Sequence, residues 1–253
     1  MNSQGLLSRP AYEVCTMSTA MGGFAEPLGN DRGATSLVDI AYARLRRDVI
    51  LGALQPGEKL RIEDLRGRYG LGATPLREAL SRLSAIGLVE ATAQRGFRVS
   101  RVSVEDLDDV TACRIRLETE LLRDSIEHGD DAWEARIAGA FHTLAKMEKD
   151  GLALDADTFS RWEVLNRAFH EALVSAATSR WNVRFREMIY DHHERYRRIS
   201  HLVGNRSINV RQEHAQICEA ALARDATAAC SVAEAHVRRT GDAIRKQLAH
   251  RLR

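Results

Sequence analysis

Proline is absent from everything beyond Pro75, although the chain runs to 253 residues. Glycine is nearly as scarce there: five occur after residue 103. These two residues most often punctuate regular structure. Without them, residues 104–253 read as long helices rather than as a turn-rich β fold. Cysteine is sparse too. Cys15, Cys113, Cys218 and Cys230 are scattered, with no C-x-x-C pair. That fits reduced thiols in the cytoplasm better than a disulfide framework, and leaves each cysteine as a small buried hydrophobe. No run approaches the roughly 20 apolar residues of a membrane span. Residues 1–34 lack the apolar core of a secretory signal. The H-E-x-x-H pattern of zinc proteases is missing as well: after His193-Glu194, Arg197 stands where its second histidine belongs.

What is present is unevenly charged. Residues 35–103 hold twelve Lys and Arg against seven Asp and Glu, a net +5, whereas residues 1–34 come to −1 and residues 104–253 to −2. The middle segment is therefore the candidate for a polyanionic partner. Residues 1–34, rich in Gly, Ser, Asn and Pro and without an apolar period, read as a disordered tail.

Leu37, Ala41, Leu45 and Val49 recur every four positions and predict a helix ended by Gly52. "LQPGEKL" reads as a turn around Pro56-Gly57. Ile62, Leu65 and Tyr69 mark a second short helix closed by Gly70. A third is expected from "GATPLREALSRLSAIGLVE", with Thr74 as N-cap and Pro75 in the first position. Its buried face is Leu76, Ala79, Leu80 and Leu83. After Gly87 the period changes to two, and Leu88–Ala91 and Phe97–Val99 predict a hairpin around Gly96. This order of elements is a winged helix-turn-helix. Periods near 3.6 then predict helices over 105–128, 131–149, 157–177, 179–202, 207–224 and 226–250. The fold expected is mainly α: a winged helix-turn-helix over 35–103, followed by an all-α antiparallel bundle over 104–253.

The third helix breaks a local rule. Arg77 sits in its first turn, where the helix dipole disfavours a cation by roughly 0.3–1 kcal/mol. Arg77, Glu78, Ser81 and Arg82 point away from the apolar face, and a short polar, partly basic helix of this kind fits the DNA major groove, with Thr74, Arg77, Ser81 and Arg82 as the candidate contacts. There Arg77 meets phosphate or guanine and the positive helix end becomes an asset. Arg95, beside Gly96 at the hairpin tip, is placed to reach the minor groove or a phosphate. The alternatives are an Arg77 paired with a surface carboxylate and a solvated Arg95.

The pieces "VILGALQPGEKL", "LRGRYGLGATPLREALSRLSAIGLVE" and "QRGFRVS" make residues 38–100 resemble the GntR family of bacterial transcription regulators. That resemblance implies double-stranded DNA as partner, a homodimer reading an inverted repeat, and repression as the usual outcome. The family usually carries Ser-Arg before the Thr-Pro. Here Gly72-Ala73 stand instead, which shifts readout onto Thr74, Arg77 and the wing.

In the later helices, Asn166 and His170 fall one turn apart on an apolar face, His214 lies beside Ile217 and Cys218, and His236 beside Val232 and Val237. Three imidazoles and an amide inside a bundle need a shared partner. A divalent transition metal is one, since imidazole suits zinc, nickel, copper or iron. Core histidines satisfied by hydrogen bonds are the alternative. "LNRAFHEAL", "RQEHAQICEAALARDATAA" and "EAHVRRT" make residues 105–245 resemble the FCD effector domain of one large GntR subfamily. That resemblance implies a metal, zinc first and nickel second, held by Asn166, His170, His214 and His236. It also implies a small organic-acid effector met by Arg114. His193, Tyr196 and Arg197 join the expected effector pocket, with an exposed charged helix face as the alternative. The chain thus reads as a cytoplasmic DNA-binding regulator and not an enzyme. Two readings stand beside it: a metalloenzyme fused to a DNA-binding module, using open coordination positions to activate water, and a regulator that senses the metal itself.

Overall fold

The computed structural model describes residues 36–92, 96–149, 155–201 and 210–251. The tail expected over residues 1–34 lies outside them, as does Arg95. Helix α1 (Leu37–Ile50) starts where the Ser36 hydroxyl accepts the Asp39 N–H at 3.1 Å. Strand β1 (Lys59–Leu60), helix α2 (Ile62–Tyr69), helix α3 (Ala73–Ala85), and strands β2 (Val89–Thr92) and β3 (Gly96–Val99) follow. Ala41, Leu45 and Val49 of α1 meet Leu76, Ala79, Leu80 and Leu83 of α3 in one apolar core.

Two details differ from the expectation. Thr74 is not the N-cap of α3. Gly70 closes α2 in the left-handed region at φ 66°, and after so tight a turn the next helix begins at Ala73 with Gly72 as its cap. Thr74 and Pro75 are then its second and third residues. The sheet also has three strands, in the order β1-β3-β2. Lys59 pairs with Arg98 and Leu60 with Phe97, so the residues after the Pro56-Gly57 turn form an edge strand too short to show a period of two.

The bundle consists of α4 (Val104–His128), α5 (Asp131–Glu148), α6 (Ala156–Leu173), α7 (Arg180–His201), α8 (Val210–Leu222) and α9 (Ala226–Arg251). Ser103, Asp130 and Asp155 cap α4, α5 and α6 by accepting N–H groups of the first turn. Trp133, Ile137, Trp162, Phe169 and Ile217 form the centre of the core. Helix α6 ends at Leu173, short of the expected residue 177. The chain turns there because Asp124 on α4 accepts the backbone N–H of Thr178 at 2.6 Å, which fixes the entry to α7.

Helix α7 is buried on opposite sides. Tyr190, His193 and Arg197 face the bundle interior, and the exposed charged face is not what forms over this stretch. The other side grips the helix-turn-helix. Asp191 accepts two hydrogen bonds from the Arg46 guanidinium of α1, one at 2.6 Å. His192 Nε2 lies 2.8 Å from the carbonyl of Ile86, the C-cap of α3. Arg195 donates to the Ser100 carbonyl at the end of β3. Asp191 is shared: Arg167 of α6 reaches it at 2.7 Å and Glu194 at 2.7 Å.

Removing one partner of a buried ion pair strands the others. Asp191→Ala is expected to cost about 3 kcal/mol of unfolding free energy, the lower end for such a loss because Arg167 keeps Glu194. Urea unfolding checks this, and a loss below about 0.5 kcal/mol, the scale of an ordinary surface substitution, contradicts it.

Candidate functional site

Two constellations stand out, one on the surface and one buried. On α3 the inward face is fully buried, while Thr74, Arg77, Ser81 and Arg82 are exposed. Arg82 is held by Asp39 at 3.0 Å and Glu78 at 2.9 Å. Arg77 makes no hydrogen bond or ion pair among the described residues. The first turn holds no acidic residue, and Gly72 supplies no side-chain acceptor for its N–H groups. A free guanidinium and uncapped backbone donors thus share one helix end, an arrangement suited to a phosphate or a base edge. Gly96 pairs with Thr92, whose hydroxyl lies 2.8 Å from where a Cβ on Gly96 would sit, so a larger residue there would have to displace that hydroxyl.

The buried constellation is assembled by α6, α8 and α9. His170, His214 and His236 are almost wholly buried, and one ring nitrogen from each lies within 4.8 Å of the others. The His214 and His236 ring centres are 4.8 Å apart, and those of His170 and His236 5.3 Å. Asn166, one turn before His170, donates through Nδ2 to the Tyr190 hydroxyl at 3.1 Å. Its Oδ1 and the Nε2 atoms of His170 and His214 are buried without a hydrogen-bond partner. Lone pairs buried and unsatisfied are costly.

The protonation states suit a cation. Burial, then Arg114, then the neighbouring histidines hold His170 well below its usual value. Burial pulls His236 down to about 3 against an opposing hydrogen bond with Glu213. Both rings are neutral near pH 7, the form that ligates a metal. Unsatisfied nitrogen and oxygen lone pairs from three imidazoles and an amide fit a borderline divalent transition metal.

Beside the histidines lies a second polar layer around Tyr190. The guanidinium carbons of Arg114, Arg167, Arg186 and Arg197 lie 4.5–5.1 Å from its ring centre. Arg114 and Arg186 share one carboxylate, Glu118. Arg197 pairs with Glu163 at 2.9 Å. Arg114 Nη1 and Arg197 Nη1 approach His193 Nδ1 at 2.9 and 3.0 Å. Nη2 of Arg114 is buried without a hydrogen bond. Arg114, His193 and Arg197 are therefore brought together, and Tyr196 is not. Its hydroxyl turns to the Ser103 carbonyl and to Asp106, at 3.1 and 2.6 Å, and its ring packs among Leu107, Ile244 and Leu248. Sequence reasoning missed Arg186, Glu118 and Tyr190. The signal available was spacing, since Arg186, Tyr190, His193 and Arg197 repeat at three and four residues along α7.

Residues 37–99 match the sequence profile of bacterial regulatory proteins of the gntR family, and residues 109–239 that of the FCD domain. The HTH-type transcriptional regulator BphR of Paraburkholderia xenovorans strain LB400 is 40% identical over 236 residues, 90% of this chain and 95% of its own length. The HTH-type transcriptional repressor GlaR of Escherichia coli strain K12 is 36% identical over 202 residues, 78% of this chain and 90% of its own. Among solved structures, McbR/YncC of Escherichia coli superposes with a TM-score of 0.71 at 20% identity, covering 84% of this chain and 98% of that one. That likeness is one of fold.

The lowered histidine values have a consequence for stability. Between about 3, where His236 titrates when folded, and roughly 6.5, where an unfolded histidine titrates, the unfolded chain binds more protons. Stability then rises with pH across this window and is lost on acidification. Metal-free protein is expected to unfold at lower urea at pH 5 than at pH 7.5, and His236→Asn should narrow that gap. Equal gaps in the two proteins contradict the reading of His236.

Proposed function

The chain belongs to the GntR family of bacterial regulatory proteins and is a DNA-binding transcriptional regulator, and we propose that it is a repressor controlled by a small carboxylate in a metal-containing pocket of its FCD domain. Residues 35–103 bind the operator, and residues 104–253 bind the effector and pair with a second copy. The observation that carries this reading is the pairing of buried, unsatisfied lone pairs on His170, His214 and Asn166 with a buried, unsatisfied donor on Arg114. One end of such a site asks for a cation and the other for an anion.

His170, His214 and His236 hold the metal with Asn166 as the weaker oxygen ligand, zinc first and nickel second. When bound, it supplies a Lewis-acidic contact for one oxygen of the effector. Arg114 and Arg186 hold the acid through charge-assisted hydrogen bonds. His193 and Arg197 close the same side of the pocket. The orphaned donor on Arg114 favours an acid over the metal alone as the signal. Repression is supported by the similarity to GlaR, which is named a repressor.

Thr74, Arg77 and Ser81 read the major groove; Arg82 and the wing at Arg95 and Gly96 meet the backbone or minor groove. A homodimer places two such helices on an inverted repeat. Operator DNA makes the cytoplasm its place of work. Helix α7 is the route between the sites, since one face lines the acid pocket and the other grips α1, the end of α3 and the end of β3.

Operator binding by variants tests this. Arg77→Ala is expected to lose at least about tenfold in specific affinity, because a bidentate arginine–guanine contact is worth roughly 1–3 kcal/mol per half-site. Its circular dichroism stays unchanged. His214→Ala should keep operator binding but lose metal and response to acid. Arg114→Ala should keep metal and lose the response. Operator affinity of Arg77→Ala within about twofold of wild type overturns the recognition-helix reading.

A further inference from the structure

Asn166 poses an electrostatic problem for the metal site proposed above, on which this inference rests. Three neutral imidazoles and a neutral amide give a dication no anionic ligand. The nearby layer makes matters worse, since Arg114 and Arg186 have one carboxylate between them. A buried cation must be compensated close by.

The compensation lies one bond further out. Glu148, the last residue of α5, sits with its carboxylate oxygens 3.0 and 3.3 Å from Nδ1 of His214. Glu213 on α8 has an oxygen 2.7 Å from Nδ1 of His236, and its other oxygen accepts from Arg239 at 2.7 Å. A carboxylate only accepts, so in both rings Nδ1 carries the proton, which leaves Nε2 as the nitrogen a metal would use. That fixes the tautomer with the ligating nitrogen of His214 directed away from Glu148, and this Nε2 is one of the unsatisfied atoms.

Glu148 is also anomalous by itself. Among the described residues, the buried carboxylates of Asp48, Glu118, Glu163, Asp191, Glu194 and Glu213 each meet an arginine. Glu148 is buried and meets none; its carboxylate lies against the Trp162 indole N–H at 2.8 Å and the His214 ring. No lysine or arginine among the described residues sits against this carboxylate.

We infer that Glu148 and Glu213 are positioning residues of the metal site, which orient His214 and His236 and supply through them the negative charge that Asn166 does not. The role of Glu148 is the larger, because Arg239 already offsets Glu213.

The test measures zinc and nickel affinity of tag-free protein by competition with a chelating dye, without effector. Glu148→Gln is expected to weaken binding about 10–100-fold, the usual effect of losing a partner behind a ligating histidine. Glu213→Gln should weaken it less. Asn166→Asp should tighten binding at least about tenfold by restoring an anionic ligand, and the double variant Glu148→Gln/Asn166→Asp should return to within a few-fold of wild type. A second readout separates this from a structural role. Without metal, Glu148→Gln should melt at or above the wild-type temperature, because the amide oxygen can still accept from Trp162 and His214 while a buried carboxylate that meets no arginine is gone. With metal, its gain in melting temperature should shrink. Metal affinities of Glu148→Gln and Glu213→Gln within about twofold of wild type overturn this inference and leave the metal reading standing. No metal binding by wild type or Asn166→Asp overturns both.

Discussion

Charge taken out of water inside a helical bundle must be neutralised where it stands, and that constraint organises most of this protein beyond residue 103. Four arginines, Arg114, Arg186, Arg195 and Arg197, are almost wholly buried. Three of them meet a carboxylate on a neighbouring helix or one turn away, and Arg195 spends its guanidinium on the Ser100 carbonyl. Tyr190 lies at the centre as the surface on which Arg114, Arg186 and Arg197 converge. These pairs add little net stability by themselves, but each is expensive to break from one side. They therefore fix which helix lies beside which, and leave a polar interior where an apolar bundle would leave none.

The same constraint ties the two halves of the molecule. Asp191 serves Arg46 on α1 and Arg167 on α6, and Arg167 lies between Asn166 and His170 in the chain. A change in the seating of α6 therefore acts on a carboxylate that also holds the helix-turn-helix. His192, Arg195 and Tyr196 bind the C-cap of α3, the end of β3 and the start of α4 by backbone atoms. Helix α7 carries both the lining of the buried site and the seat of the recognition helix. A ligand that favours one packing of α6 against α7 biases the other end by no more than its difference in affinity for the two packings.

Much of this was legible in the sequence. The apolar stripes of α1 and α3 lie where their periods put them, and the three histidines converge as their spacing on separate helices implied. The start of α3 was misread because a residue that caps well, Thr74, also tolerates the first turn, and only the tight turn at Gly70 decides between the two. Strand β1 was invisible because two residues have no period. The larger gap was α7. "YDHHERYRRIS" left two readings open, a pocket lining and a solvated face, because residue type cannot reveal that a charge has a buried partner on another helix. Tyr196 was placed with His193 and Arg197 by proximity in sequence, yet it points to the far side of the helix. Glu148 and Glu213 carried no signal at all, since a carboxylate behind a histidine is recognised by distance alone.

X-ray absorption at the metal edge of protein purified without a tag or chelator tests the central claim most directly. The expected spectrum has about three nitrogen neighbours and one or two oxygens near 2.0–2.2 Å, with the multiple scattering of imidazole. A sulfur neighbour near 2.3 Å, or protein that carries no metal and gains no thermal stability from zinc or nickel, contradicts the assignment of His170, His214 and His236 as a metal site.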